Sequence, residues 1–171
     1  MHIRHITIDD LPALQQIGRQ TFYETFADSN SETDMQDYLA KSFSKEQLSS
    51  ELQNQDMAFY LLEIEGKTAG YLKLNFSQAQ TELHDPNAIE IERIYVLQAF
   101  HGKGAGQALY QHAVNIARSK QARYIWLGVW EHNHRALRFY EKNGFTPFGK
   151  HTFYLGSDAQ TDIMMKLELV P

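Results

Sequence analysis

The chain has 171 residues, is 43% apolar and contains no cysteine, so one domain (1–171) with a substantial core is expected, without disulfides, thiolate metal sites or a cysteine nucleophile. Its net charge of -5 is uneven: residues 1–88 carry 14 acidic and 6 basic side chains, residues 89–171 carry 7 and 10. No basic cluster stands out, which disfavours nucleic acid, and an acidic half beside a mildly basic one suits a cationic substrate meeting an anionic cosubstrate.

No apolar run approaches the ~20 residues of a membrane span. The polar start MHIRHITIDD has no signal-peptide core, so a soluble, cytoplasmic protein with no membrane partner is expected. HIRHITI alternates as a strand, and Asp9 or Asp10 can cap the helix that follows, with Pro12 in its first turn. Leu11, Leu14, Ile17, Phe22 and Phe26 recur at helical spacing. SETD (31–34) and SKEQ (44–47) resemble capping boxes and predict two short helices. MAFYLLEI and TAGYLKLNF form a predicted hairpin turning at Glu65-Gly66-Lys67, and residues 77–88 a polar connection.

The second half alternates strand and helix. Strands are predicted at 89–96 and 123–130, helices at 104–119 and 133–143, the latter ended by Gly144 as a left-handed cap. Residues 145–150 and 162–169 are predicted closing strands. This order implies a mixed α/β sheet with right-handed crossovers.

Between the strand and helix around residue 100 lies HGKGAG (101–106). It fits neither the Walker pattern nor the dinucleotide fingerprint. The physics of those loops still applies: a helix N-terminus carries unpaired amides and partial positive charge, small residues let a phosphate approach, and Lys103 adds a formal charge.

HGKGAG after RIYV resembles the pyrophosphate loop of the GNAT acyltransferase superfamily, with His101 where arginine or glutamine is usual. GVWEHNHRALRFYEKNGF (128–145) is similar to that family's second signature. Asn133 and Tyr140 lie seven residues apart, two helical turns, on one face, with Ala136 between them. NSETDMQDYLAKSFSKEQLSSEL, EIERIYV, IWLGVWE and HTFYLGSDAQTDIMMKLEL extend the likeness to bacterial spermidine/spermine N-acetyltransferases of the PaiA type, over nearly the whole chain.

The resemblance implies a GNAT fold: a mixed, mostly antiparallel sheet splayed between its fourth and fifth strands, with helices on both faces. It implies acetyl-CoA as cosubstrate, direct transfer in a ternary complex and a small amine acceptor, most fittingly a polyamine. A peptide, protein or antibiotic amine, or a non-catalytic acetyl-CoA sensor, are the alternatives. The loop His101, Gly102, Lys103, Gly104, Ala105 and Gly106 would bind pyrophosphate. Ile94, Tyr95 and Val96 would hold the pantetheine arm, joined by Asn133 and Lys142. Tyr140 would protonate the departing thiolate.

A primary ammonium near pKa 10.4 is neutral in only about one molecule in 10³ at pH 7, so a base is needed. Glu90 and Glu92, opposite Ile89 and Ile91 on an alternating strand, are the candidates. Glu24 and Asp28, in an acidic stretch reaching Asp37, are expected to bind the cationic acceptor from the first two helices. No histidine pair has metal-ligand spacing and no metal is expected; a homodimer is left open.

Overall fold

The computed structural model describes residues 1–169. Strand β1 (His2–His5) stops before the predicted Ile8 because Asp10 turns the chain. The Asp10 carboxylate accepts from the Thr7 amide at 3.2 Å and from Arg4 at 3.0 Å. Helix α1 (Leu11–Phe26) follows, with Pro12 in its first turn. Ser31 and Ser44 cap α2 (Glu32–Ser42) and α3 (Lys45–Gln53); each hydroxyl accepts the amide three residues on at 3.1 Å. Glu65 and Gly66, both at positive φ, make the two-residue turn between β2 (Met57–Ile64) and β3 (Lys67–Phe76).

Then come β4 (Ala88–Val96), α4 (Ala105–Ser119), β5 (Tyr124–Trp130), α5 (His134–Lys142), β6 (Thr146–Leu155) and β7 (Asp158–Glu168). The strands form one sheet in the order β1-β2-β3-β4-β5-β7-β6. Only β4 and β5 run parallel; every other neighbouring pair is antiparallel. Alternate residues of the strands serve opposite faces. Leu62, Leu72 and Leu74 pack with α4 residues such as Leu109 and Ala113. Phe59, Leu61 and Tyr71 pack with Leu14, Phe22, Met35 and Leu48 of α1, α2 and α3.

The C-terminal hairpin is longer than the sequence predicts. Strand β6 runs on to Leu155 and β7 begins at Asp158, through residues whose polarity resembles a loop. A tertiary contact holds that extension: the Asp34 carboxylate of α2 accepts from both the amide and the hydroxyl of Ser157 at 3.1 Å. Within the hairpin β7 pairs with β5 and leaves β6 at the edge, an order the sequence did not specify.

Candidate active site

Strands β4 and β5 pair only at Ala88 with Tyr124, Ile89 with Ile125 and Glu90 with Trp126. Beyond Glu90 they part, while β5 stays paired with β7 on its other edge as far as Trp130. The Leu97 amide donates to the Ala69 carbonyl at 2.9 Å, so Leu97 and Tyr95 turn their backbone groups toward β3. By alternation Ile94 and Val96 turn theirs into the gap. The Val96 carbonyl is engaged by His101 Nε2 at 2.8 Å, while Arg135 of α5 bonds His101 Nδ1. A carbonyl only accepts and a guanidinium only donates, so this geometry fits the Nε2–H tautomer. His101 thus ties the loop to both sides of the gap.

The loop itself is open. Gly104 caps α4 at φ 79°, in the left-handed region, and Gly102 lies at φ 78°. A Cβ added to Gly102 or Gly106 would meet nothing within 4 Å. The Ala108 amide makes the first return bond of the helix, to the Gly104 carbonyl at 3.0 Å. The amides of Ala105, Gly106 and Gln107 therefore lie ahead of the helical ladder with the positive end of the dipole behind them. Free amides, an open approach and unpaired strand groups fit a diphosphate joined to an amide-bearing arm.

Helix α5 supplies the facing wall. Its end is a Schellman turn: the Phe145 amide returns to the Tyr140 carbonyl and the Gly144 amide to that of Glu141, both at 3.0 Å. This fixes Tyr140, which is buried, with its phenol pushed up by desolvation. It therefore keeps its proton at neutral pH. Asn133, Ala136, Tyr140 and Lys142 all line one cleft of about 960 Å³ with the gap-facing residues of β4. Asn133 Oδ1 also caps α5 by accepting the Ala136 amide at 3.2 Å, a local role the sequence reading did not assign. Lys103 is not part of the lining; its ammonium sits 5.4 Å over the Phe100 ring.

The carboxylates of β4 occupy two environments. The β3–β4 register skips at Glu92: Leu74 faces Ile91 and Lys73 faces Arg93. This bulge breaks the simple alternation expected from the sequence and puts Arg93, like Glu90, on the face covered by α1 to α3. Glu92 accepts from Lys73 Nζ at 2.6 Å and from Asn75 Nδ2 at 3.2 Å. Lys73 is bound at 2.6 Å by the buried Glu51 of α3 as well. Burial alone would raise the Glu92 carboxyl, but the Arg93 and Lys73 charges hold it below its usual value.

Glu90 takes hydrogen bonds from the Thr81 amide (2.8 Å), the Thr81 hydroxyl (2.6 Å) and Asn75 (3.0 Å). Among the described residues it has no cationic partner, and desolvation raises it against those bonds. Thr81 comes from the 77–88 connection, which is organised by buried Gln80 bonding Trp126 Nε1 at 2.7 Å. The sequence reading missed Lys73, Asn75, Thr81, Arg93 and Arg135. An isolated lysine inside the apolar run TAGYLKLNF was the one visible signal.

Helices α1 and α2 form a wall of the cleft, but an aromatic one. Phe22 and Tyr38 stack at 4.3 Å, and Phe26 lies 5.7 Å from Trp130. Glu24 reaches the cleft rim, where its carboxylate accepts the Gln98 amide at 3.0 Å. Asp28 is exposed and outside the lining, in the 3-10 turn after α1, and Asp34 is bound to Ser157. The acidic stretch is therefore dispersed by tertiary contacts.

The model of the acetyltransferase (GNAT) family matches residues 13–145. An uncharacterized N-acetyltransferase in the pepI 3′ region of Lactobacillus delbrueckii subsp. lactis is 42% identical over 168 residues, 98% of this chain and 97% of that one. The spermidine N(1)-acetyltransferase of Thermoplasma acidophilum is 27% identical over 149 residues, 85% of this chain and 88% of that one. The crystal structure of the PaiA N-acetyltransferase of T. acidophilum in complex with coenzyme A superposes with a TM-score of 0.79 at 24% identity, over 98% of both chains. With the splayed strands and the open loop at α4, these matches place the chain in the GNAT family, as an N-acetyltransferase.

Proposed function

We propose that this protein transfers acetyl from acetyl-CoA to a primary amine of a polyamine such as spermidine or spermine, directly and within a ternary complex. The observation that carries this reading is a single cleft lined by the loop glycines, Tyr140 and both β4 carboxylates. Likeness to a spermidine N(1)-acetyltransferase over 85% of the chain supports the acceptor class.

Acetyl-CoA supplies an acyl group already activated as a thioester. The amides of 102–106 hold its pyrophosphate, with Lys103 adding charge at the loop. Ile94, the Val96 amide, Asn133 and Lys142 hold the arm, with Tyr95 fixing the strand against β3. Glu90, raised by burial and free of any cationic partner, takes the proton from the acceptor ammonium. Glu92, kept ionised by Lys73 and Arg93, holds the ammonium in place before that step. Tyr140 keeps a proton available to the departing thiolate.

The test is CoA release with spermidine, spermine, a lysine peptide and an aminoglycoside. Turnover of the polyamines at the highest kcat/KM is expected. Turnover of only the peptide or the aminoglycoside would replace the polyamine, and acetyl-CoA binding without turnover of any amine would favour a sensor.

A further inference from the structure

The far wall of the cleft holds a carboxylate that the chemistry above does not use. Asp162 of β7 pairs with Trp130 on one side and His151 of β6 on the other, so the three side chains share one sheet face. All three line the cleft. The His151 and Asp162 side chains are 22% and 14% exposed, and His151 Nε2 stands 3.6 Å from Asp162 Oδ2. Among the described residues the Asp162 carboxylate has no hydrogen bond, whereas Glu90, Glu92 and Glu24 all accept one or more. Buried His151 Nδ1 has no partner either.

A glycine makes room for this pair. A Cβ on Gly128 of β5 would meet His151 Cε1 at 2.9 Å and Asp162 Oδ2 at 3.4 Å, so the imidazole lies directly over bare backbone. Around it stand Trp130, Phe26 and Phe153, with Phe26 5.7 Å from the Trp130 ring and 6.4 Å from the Phe153 ring. A carboxylate beside aromatic faces suits an ammonium carried on methylene groups: charge meets charge, and the rings cover the alkyl chain. A half-buried carboxylate without a donor is unfavourable until such a cation arrives.

We propose that Asp162, backed by His151, binds a second ammonium group of the acceptor and holds the end of the molecule that is not acetylated. This rests on amine acetylation in the same cleft. The register sets the scale. Glu90 pairs with Trp126 and Asp162 with Trp130, four residues further along β5, a run of about 13 Å at the strand rise. Two carboxylates so placed serve nitrogens at opposite ends of a flexible chain, which selects a linear diamine or polyamine over an amine with one charge.

The experiment compares kcat/KM for spermidine, an aminoglycoside and hexylamine, which lacks the second charge, in the natural enzyme, Asp162→Asn and Asp162→Glu. In Asp162→Asn the spermidine KM should rise about 10- to 100-fold, and the spermidine-to-hexylamine selectivity should fall by the same factor. Asp162→Glu, which keeps the charge, should recover most of that selectivity. Acetyl-CoA titration by calorimetry checks that each variant folds.

Unchanged selectivity in folded Asp162→Asn, or equal loss in the Asn and Glu variants, overturns the subsite. Greater sensitivity of the aminoglycoside than of spermidine to Asp162→Asn overturns the linear-chain assignment. If the natural enzyme acetylates no amine, the reading above fails, while the subsite is still decided by spermidine calorimetry. Binding that Asp162→Asn abolishes supports it, and binding that persists unchanged overturns it.

Discussion

The two sides of the β4–β5 gap are built from different materials. The side proposed to bind acetyl-CoA, the donor side, is backbone: strand groups at Ile94 and the Val96 amide turned away from β3, amides at the mouth of α4, and glycines that leave the approach open. The proposed acceptor side is side chains drawn together from distant segments: Glu51 and Lys73 beside Glu92, Thr81 on Glu90, His151 beside Asp162. Backbone sites bind a part common to many molecules and tolerate change in the surrounding side chains. Side-chain sites select, and each depends on partners that must all be present.

That contrast can be broken most severely at Lys73. Lys73→Met leaves buried Glu51 without its cation and part-buried Glu92 with Arg93 alone, and should destabilise the fold by about 3–5 kcal/mol in urea unfolding. The folded-state carboxyl of Glu92 lies below its ordinary value, so its contribution is present above about pH 4.5 and lost as pH falls through the folded value. The deficit of Lys73→Met should accordingly shrink in acid. A pH-independent deficit would assign it to packing.

On the donor side, Gly106→Val should remove measurable acetyl-CoA binding by calorimetry with little change in melting temperature, because its Cβ meets only open space. Gly104→Val should lose binding and also cost about 1–3 kcal/mol of stability, since its φ of 79° is unsuited to a β-branched residue. Equal melting temperatures for the two variants would remove the distinction between approach and conformation.

Glu90→Gln should lower kcat/KM by about 10²–10⁴ while acetyl-CoA affinity holds. Burial raises Glu90 above 4.5, so activity of the natural enzyme should fall as pH drops through that raised value, and this acid limb should vanish in the variant. Loss of the limb in Glu92→Gln instead would exchange the two roles. Tyr140→Phe should reduce kcat by about 10–10³ without weakening acetyl-CoA binding. The smallest effect belongs to Asp28→Asn. Exposed and outside the cleft lining, it should shift stability by less than about 0.5 kcal/mol and leave the spermidine KM unchanged. A rise in that KM would restore the acidic wall expected from the sequence.

Much of the fold around the cleft was legible because its signals are local. Glycines at 102, 104 and 106 ahead of a helical run, serines three residues before the first paired amide of α2 and α3, and Gly144 after α5 all act within one turn of chain. Hydrophobic alternation likewise announced the β2–β3 hairpin. Tyr140 and Asn133 line one cleft, as seven helical residues returning to one face implies.

What only the tertiary structure decided is where a skipped residue or a distant partner intervenes. The bulge at Glu92 shifts which residues of β4 face the cleft, and nothing in EIERIYV marks it. Glu90 and Glu92 are the same residue type two positions apart, yet one is raised by desolvation and the other lowered by Arg93 and Lys73. The acidic stretch at 24–37 promised a charged wall, but Glu24 and Asp34 bind Gln98 and Ser157, far along the chain. Asp162 and His151 meet only because β6 folds back on β7. A backbone amide is present whatever the neighbours, so local sequence can place it; the charge state and direction of a side chain belong to the neighbours that folding brings to it.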